Sequence, residues 1–297
     1  MTGNPADARR QDISFVSEGD VCRGWLYLPD GVDQPPLVIM AHGFSAERTF
    51  GLPAFAERFA AEGMAVLLFD YRNFGDSDGS PRFLVDPQRH VADWRAAITY
   101  ARTLPNVDTT RLALWGSSFS GGHVITIAAA DPSISAIVAQ VPYVGGLEVK
   151  LSVLNTLKAA GSILADKVAS LFGGAVTVPI VGPAGSFACM ASDEAMQFLD
   201  IVDEASQWNN QVPARALTTL AAYQPRDVAG RVACPALVLV GARDETTPPE
   251  LAREAAALMP RAEVASFEAG HFEVYLPPLF EDVVAREAAF LRTHLAA

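Results

Sequence analysis

Apolar residues along this chain fall into short unbroken runs, separated by stretches in which they recur every three or four positions. The runs are PLVIM at 36–40, the centre of MAVLLFDYR at 64–72, RLALW at 111–115, AIVAQV at 136–141 and ALVLV within CPALVLVGARDETTPP, while AEVASFEAGHF reads as a further strand and loop. A continuous apolar run marks a strand covered on both faces. Helical spacing is found at 50–62, with Leu52, Phe55, Phe59 and Ala60 on one face, and again at 249–259 and 279–295. The stretch 86–104 is also helical and begins DPQ, with its proline in the first turn. Two earlier stretches, 12–18 and 21–28, read as an antiparallel edge hairpin joined by a Glu-Gly-Asp turn. Residues 1–11 are polar and read as disordered.

Buried strands alternating with helices predict an α/β fold, a mostly parallel sheet with helices on both faces. The rhythm covers 12–145 and 231–297 and is broken in between. Within 146–230 there is helical periodicity at 147–172, a breaker-rich apolar loop at 173–187 and a second helical stretch at 194–210. An insertion of this kind after a central strand predicts a helical cap, or lid. The plainer alternative is a set of extra helices packed on the scaffold with no substrate role.

Chemistry concentrates where the third run ends. RLALWGSSFSGGHVITIAAA, 111–130, is a strand that breaks into tiny residues and leaves as a helix. A serine at such a bend is the hallmark of a nucleophile elbow, whose strained turn closes only if the residues two before and two after are small. Ser117 has Trp115 and Phe119 there, which are too large. Ser118 has Gly116 and Ser120. Ser120 has Ser118 and Gly122, but needs the strand to run on through a glycine and two serines. Ser118 is the first choice and Ser120 its rival.

Two further loops follow strands at the same edge, where ligands collect in parallel sheets. GARDETTPP carries Asp244, four residues past Val240, with Glu245 as the competing acid. The other, AGHF, carries His271. Serine, acid, histidine in that order is a known triad arrangement. The serine needs a base, His271, and the imidazole needs a carboxylate, Asp244, to hold its tautomer. An oxyanion requires preorganised donors. The Phe119 amide at the helix start is one, and the Phe44 amide in the AHGF loop after 36–40 is the other, with His42 orienting that loop.

Composition narrows the partners. The 297 residues carry 22 Lys and Arg against 34 Asp and Glu, a formal net charge of −12. That disfavours nucleic acid, anionic membranes and polyanionic substrates. Three scattered cysteines, a polar start without an apolar core and no bilayer-length apolar run point to a reducing, cytoplasmic setting. Histidines 42, 90, 123, 271 and 294 form no H-x-x-x-H pair, DSDG at 76–79 lacks the remaining ligands of a calcium loop, and neither dinucleotide nor P-loop glycine patterns occur. No metal and no cofactor is expected. A homodimer would use the closing helix or the edge hairpin.

HGF at 42–44, DYRNFGDSDG at 70–79, GSSFSGG at 116–122, GARDETTP at 241–248 and GHF at 270–272 together resemble the α/β-hydrolase family, over roughly 14–295. DYRNFGDSDG and LWGSSFSGGHV look most like the branch of fungal polyketide transferases and thiohydrolases, near the prolyl peptidase-type and dienelactone-hydrolase-like groups. Ser120 stands where the general pattern has its last glycine. The resemblance implies an eight-stranded α/β-hydrolase sheet and a serine hydrolase acting on small-molecule esters or thioesters. The alternatives are an acyltransferase using the same acyl-enzyme, and a peptidase. A non-catalytic binding module would not require the triad set. The pocket is expected between the sheet edge and the cap, at Phe44, Phe119 and Phe272, with Phe187, Met190, Met196, Phe198 and Trp208 as cap candidates for an apolar acyl group.

Overall fold

A computed structural model describes residues 9–146 and 152–296. The chain opens with β1 (Arg9–Ser17) and β2 (Asp20–Leu28), then β3 (Pro36–Ala41), α1 (Leu52–Ala61), β4 (Ala65–Phe69), α2 (Pro87–Ala101), β5 (Asp108–Ser117), α3 (Phe119–Ala128) and β6 (Ala136–Gln140). After the inserted segment come β11 (Ala236–Gly241), α7 (Pro249–Leu258), β12 (Ala262–Phe267) and α8 (Leu279–His294). The main sheet has eight strands in the order β1-β2-β4-β3-β5-β6-β11-β12. β1 and β2 are antiparallel, as are β2 and β4, and the remaining pairs are parallel. This is the α/β-hydrolase fold.

The unbroken apolar runs are explained by alternation across the sheet. Leu37, Ile39, Leu67, Leu114, Ile137 and Val238 face α2, α3 and α7, against Trp94, Ile98, Val124 and Ala252. Their neighbours Val38, Met40, Leu68, Trp115, Val138 and Leu239 face α1 and α8, against Phe55, Phe59, Val284 and Phe290. Asp86 caps α2 by accepting from the amides of Gln88 and Arg89, ahead of Pro87. The hairpin turns on Glu18 and Gly19, both at positive φ (46° and 96°).

Some boundaries differ from the sequence reading. The first strand starts at Arg9, so residues 9–11 are paired backbone rather than a tail, with Arg10 against Tyr27 and Gln11 against Leu26. Residues 1–8 lie outside the described part. The helix expected at 50–62 begins at Leu52, because Gly51 is left-handed (φ 72°). The inserted segment is mixed rather than helical. It carries α4 (Val153–Ser170), β7 (Thr177–Val178), β8 (Val181–Gly182), β9 (Met190–Ala191), α5 (Asp193–Met196), β10 (Val212–Pro213) and α6 (Ala216–Ala222). The apolar loop at 173–187 satisfies its backbone by pairing β7 with β10 and β8 with β9. Residues 147–151 lie outside the described part. No helix among the described residues is long and apolar enough to cross a membrane, and Cys22, Cys189 and Cys234 are unpaired.

One buried carboxyl lies beneath the elbow strand. Glu287 of α8 is wholly buried and accepts from Trp115 Nε1 at 2.9 Å. Burial raises its carboxyl from an ordinary value of 4.5 to about 8. The folded state therefore holds a proton that the unfolded chain gives up. Its contribution is full below pH 4.5 and is lost as pH rises to about 8. Thermal melts of Glu287→Gln against wild type are expected to coincide at pH 5 and to separate by several degrees in the variant's favour at pH 9. Curves equally spaced at both pH values would contradict this.

Candidate active site

β5 runs straight into the bend. Ser118 has φ 56° and ψ −119°, and Phe119 is the first residue of α3. A side chain in that region costs on the order of 1–3 kcal/mol and persists only where the surroundings impose it. Here they do. A Cβ on Gly116 would lie 2.3 Å from the Ser120 carbonyl oxygen, and one on Gly122 would lie 2.3 Å from that of Tyr143.

The bend separates the three serines. Ser117 Oγ is held between Tyr275 OH (2.5 Å) and Gln140 Nε2 (2.9 Å). Ser120 Oγ sits 2.8 Å from Tyr71 OH, inside a buried cluster with Trp94, His90, His123 and Tyr223. Burial pushes His123 down to about 3 and His90 well below its ordinary value, so both are neutral packing groups. Ser118 Oγ alone of the three lies against an imidazole, 3.0 Å from His271 Nε2.

His271 Nδ1 lies 2.8 Å from Asp244 Oδ2. Asp244 also accepts from the Thr247 amide (2.6 Å) and hydroxyl (2.9 Å), which fixes the carboxylate plane. Both side chains are buried. Glu245, the competing acid, is exposed. On the other side of Ser118, Gly43 packs so closely that a Cβ there would lie 3.0 Å from Ser118 Cβ. Neither the Phe44 nor the Phe119 amide donates to a backbone carbonyl among the described residues. His42 is buried, donates from Nδ1 to the Gly43 carbonyl at 3.0 Å, and is kept neutral by burial. It orients the loop.

Ser118 and His271 open onto a small apolar pocket. Phe44, Phe50 and Leu52 line it from the core, Met190, Phe198 and Ile201 from the inserted segment, and Phe272 and Tyr275 from the histidine loop. Its free volume is about 20 Å³, room for one water. Of the residues expected there, Phe44, Met190, Phe198 and Phe272 line it. Phe119 does not. Its ring is turned under α3 against His123 and Tyr143. Trp208 stands behind the wall, packed on Phe50 and Phe198. Phe187 and Met196 are not among the lining residues either.

The sequence matches the serine aminopeptidase S33 family (Hydrolase_4) over residues 34–271. The chain belongs to this family of α/β hydrolases. It is 38% identical to the quorum-quenching protein AidA of Acinetobacter baumannii (strain MDR-ZJ06), covering 95% of this chain and 94% of that one. It is 29% identical to the polyketide transferase af380 of Aspergillus fumigatus, covering 96% and 99%. The crystal structure of the α/β hydrolase GrgF from Penicillium sp. sh18 superposes with a TM-score of 0.84 at 24% identity, covering 97% and 99%.

The inserted segment of this hydrolase is latched to every loop of the candidate site. Glu194 of α5 reaches two of them. Its Oε2 accepts from the amides of Glu245 (2.9 Å) and Thr246 (2.8 Å) and from the Thr246 hydroxyl (2.7 Å), and its Oε1 accepts from the His271 amide (2.8 Å). The third, carrying Gly43 and Phe44, is held by Trp208 Nε1 donating to the Ser45 carbonyl (2.7 Å) and by the Ser206 hydroxyl donating to Glu47 (2.6 Å). Sequence reasoning missed Glu194 and Thr247, and nothing in their local pattern marks them.

Glu194→Gln keeps an acceptor oxygen for the three donors on the acid loop but turns its NH₂ against the His271 amide, donor facing donor. It is expected to lower kcat on a model ester by about 10-fold and Glu194→Ala by more, with melting temperature falling a few degrees. Steady-state kinetics and a thermal melt check this, and unchanged kcat in both variants would show that the latch does not position the loops.

A larger polar cleft of about 890 Å³ lies between the 70–83 loop and the inserted segment, lined by Glu47, Arg48, Asp76, Arg82 and Asp203 among others. It contains none of Ser118, Asp244 or His271. No cluster of three or more metal-ligating side chains occurs among the described residues.

Proposed function

We propose that this protein cleaves carboxylic esters or thioesters through an acyl-enzyme on Ser118. The observation that carries the reading is the unbroken hydrogen-bond chain from Ser118 Oγ through His271 to Asp244, at 3.0 and 2.8 Å. His271 Nε2 takes the serine proton as Oγ attacks the acyl carbonyl. The imidazolium is stabilised by Asp244, and the carbonyl oxygen, now negative, is met by the amides of Phe44 and Phe119. His271 returns the proton to the departing alcohol or thiol. Water then attacks the acyl-enzyme, gives a proton to His271, and the acid leaves as Ser118 regains its hydrogen.

The apolar lining supports an apolar acyl group of small to medium size, against Phe44, Met190, Phe198 and Phe272. Entry requires the inserted segment to move, since about 20 Å³ admits no acyl chain. Movement of that segment makes it a cap in the functional sense.

A second reading, acyl transfer to an alcohol or amine, is favoured by the narrow apolar pocket, which leaves little room for water, and by relatives named as polyketide transferases. The name quorum-quenching describes a biological effect rather than a bond. The pocket lining includes no carboxylate for a substrate amino group, which weighs against an aminopeptidase.

Incubation with p-nitrophenyl esters and acyl thioesters of increasing chain length, with and without alcohol and amine acceptors, tests both readings. Nitrophenol or thiol release with only free acid formed supports hydrolysis. Acyl product on the acceptor supports transfer. Absence of turnover together with no labelling by a fluorophosphonate would remove the acyl-enzyme altogether.

A further inference from the structure

The longest helix of the inserted segment, α4, is amphipathic in the inverted sense. Its inward face is polar or small apart from the half-buried Ile163. Asn155 is buried and donates to the carbonyls of Gly185 and Ser186, and Asp166 is wholly buried and accepts from the Val176 and Arg215 amides and the Arg215 guanidinium. Ser162 and Ala169 complete that side. The outward face holds Val153, Leu154, Leu157, Leu164, Val168 and, just beyond the helix end, Leu171 and Phe172. Their exposure runs from 51% at Val168 to 86% at Phe172, and they are seven of the twelve exposed large hydrophobics among the described residues. A surface helix normally shows the reverse. A concentrated apolar strip of this kind marks an interaction surface.

The spacing says what covers it. Leu154, Leu157, Gly161, Leu164, Val168 and Leu171 follow one another at intervals of three, four, three, four and three, the a and d positions of a heptad repeat. The flanking Val153, Lys158, Ala160, Ala165, Lys167 and Phe172 are all exposed too, so the whole seam faces solvent.

We propose that α4 pairs antiparallel with α4 of a second copy of this chain across a twofold axis. The strip is then its own complement. Leu154 lies opposite Leu171 of the partner subunit, Leu157 opposite Val168 of the partner subunit, and Gly161 opposite Leu164 of the partner subunit. The glycine makes room for the leucine. Lys158 and Lys167 fall opposite alanines, so no like charges meet. Parallel pairing sets glycine against glycine and leaves a void. A lipid surface requires neither heptad spacing nor a central glycine, and a net charge of −12 opposes anionic membranes.

The helix is 18 residues, about 27 Å long. A seam of that length lies at the small end of stable interfaces, so the dimer is reversible and concentration-dependent. The surface replaces the closing helix and the edge hairpin as the place where copies meet, and it joins the two inserted segments rather than the two sheets.

Sedimentation velocity or light-scattering chromatography of the full chain over a dilution series reads the outcome. Wild type is expected to pass from dimer to monomer on dilution. Leu157→Glu/Leu164→Glu is expected to weaken association by about 100-fold or more, with unchanged circular dichroism and melting temperature. If that pair fails to fold, Leu157→Gln/Leu164→Gln serves with the same expectation. A Leu154→Cys/Leu171→Cys protein should form a covalent dimer under mild oxidation, whereas one formed by Leu154→Cys alone points to parallel pairing and overturns the geometry. Wild type that stays monomeric up to about 100 μM overturns the proposal. So does a dimer that survives both seam variants. Monomeric wild type that floats with phosphatidylcholine vesicles, and loses this on seam substitution, assigns the strip to lipid instead. None of these readouts depends on the proposed chemistry.

Discussion

Ser118→Ala is expected to lower ester turnover by about 10³- to 10⁶-fold and to abolish fluorophosphonate labelling, with melting temperature little changed. The size follows from the geometry. Ser118 Oγ is the only elbow hydroxyl within reach of His271, and its removal leaves no atom to carry the acyl group. Ser120→Ala is the matched control. It loses one buried hydrogen bond to Tyr71 OH, which is worth about 1 kcal/mol, so activity should fall by less than about 10-fold. The reverse pattern, with Ser118→Ala active and Ser120→Ala dead, would move the chemistry two residues along the helix and away from the imidazole.

Asp244→Asn is expected to reduce kcat by about 10⁴-fold while substrate affinity and fold persist. The asparagine oxygen takes over the bond from the Thr247 amide, now 2.6 Å from Asp244 Oδ1. Its amide NH₂ then faces His271 Nδ1, 2.8 Å away, and donates where a carboxylate accepted. The ring responds by holding its proton on Nε2, and a protonated Nε2 cannot take the proton of Ser118. Glu245→Gln, in contrast, changes an exposed side chain and should leave kcat within about 2-fold. Steady-state kinetics on one ester with all three proteins is sufficient. Equal losses in the two variants would assign the acid role to the loop as a whole rather than to Asp244.

The core sheet was legible because it depends on local rules. PLVIM, AVLLF, AIVAQ and ALVLV each alternate between two covered faces, and only a strand inside a doubly covered sheet tolerates that. The elbow was legible for a related reason. The bend at residue 118 needs a glycine at 116, and that is a statement about neighbours two positions apart. Ser118, Asp244 and His271 could be named together because each follows a strand at the same edge, and strand direction in a parallel sheet is repeated at every crossover.

The inserted segment was less legible. Its 173–187 loop has no period, and its strands are two residues long, held by partners 9 to 36 residues away. Phe119 and Trp208 illustrate the same limit at the level of side chains. Both are large and apolar and adjoin the site, and rotamer and packing alone turn one beneath α3 and put the other behind Phe198.

By itself, then, the sequence determined which runs are buried strands, and narrowed the bend to Ser118 or Ser120 and its partners to His271 with Asp244 or Glu245, since each follows from spacing along the chain. Tertiary structure alone decided that Glu194 holds both the acid and histidine loops from 51 and 77 residues away, that the pocket is narrowed to about 20 Å³, and that the leucines of α4 face outward. The physical reason is that an apolar period says a face will be buried but not against what. A helix with one polar face and one apolar face fits either way round until the partner for each face is in place.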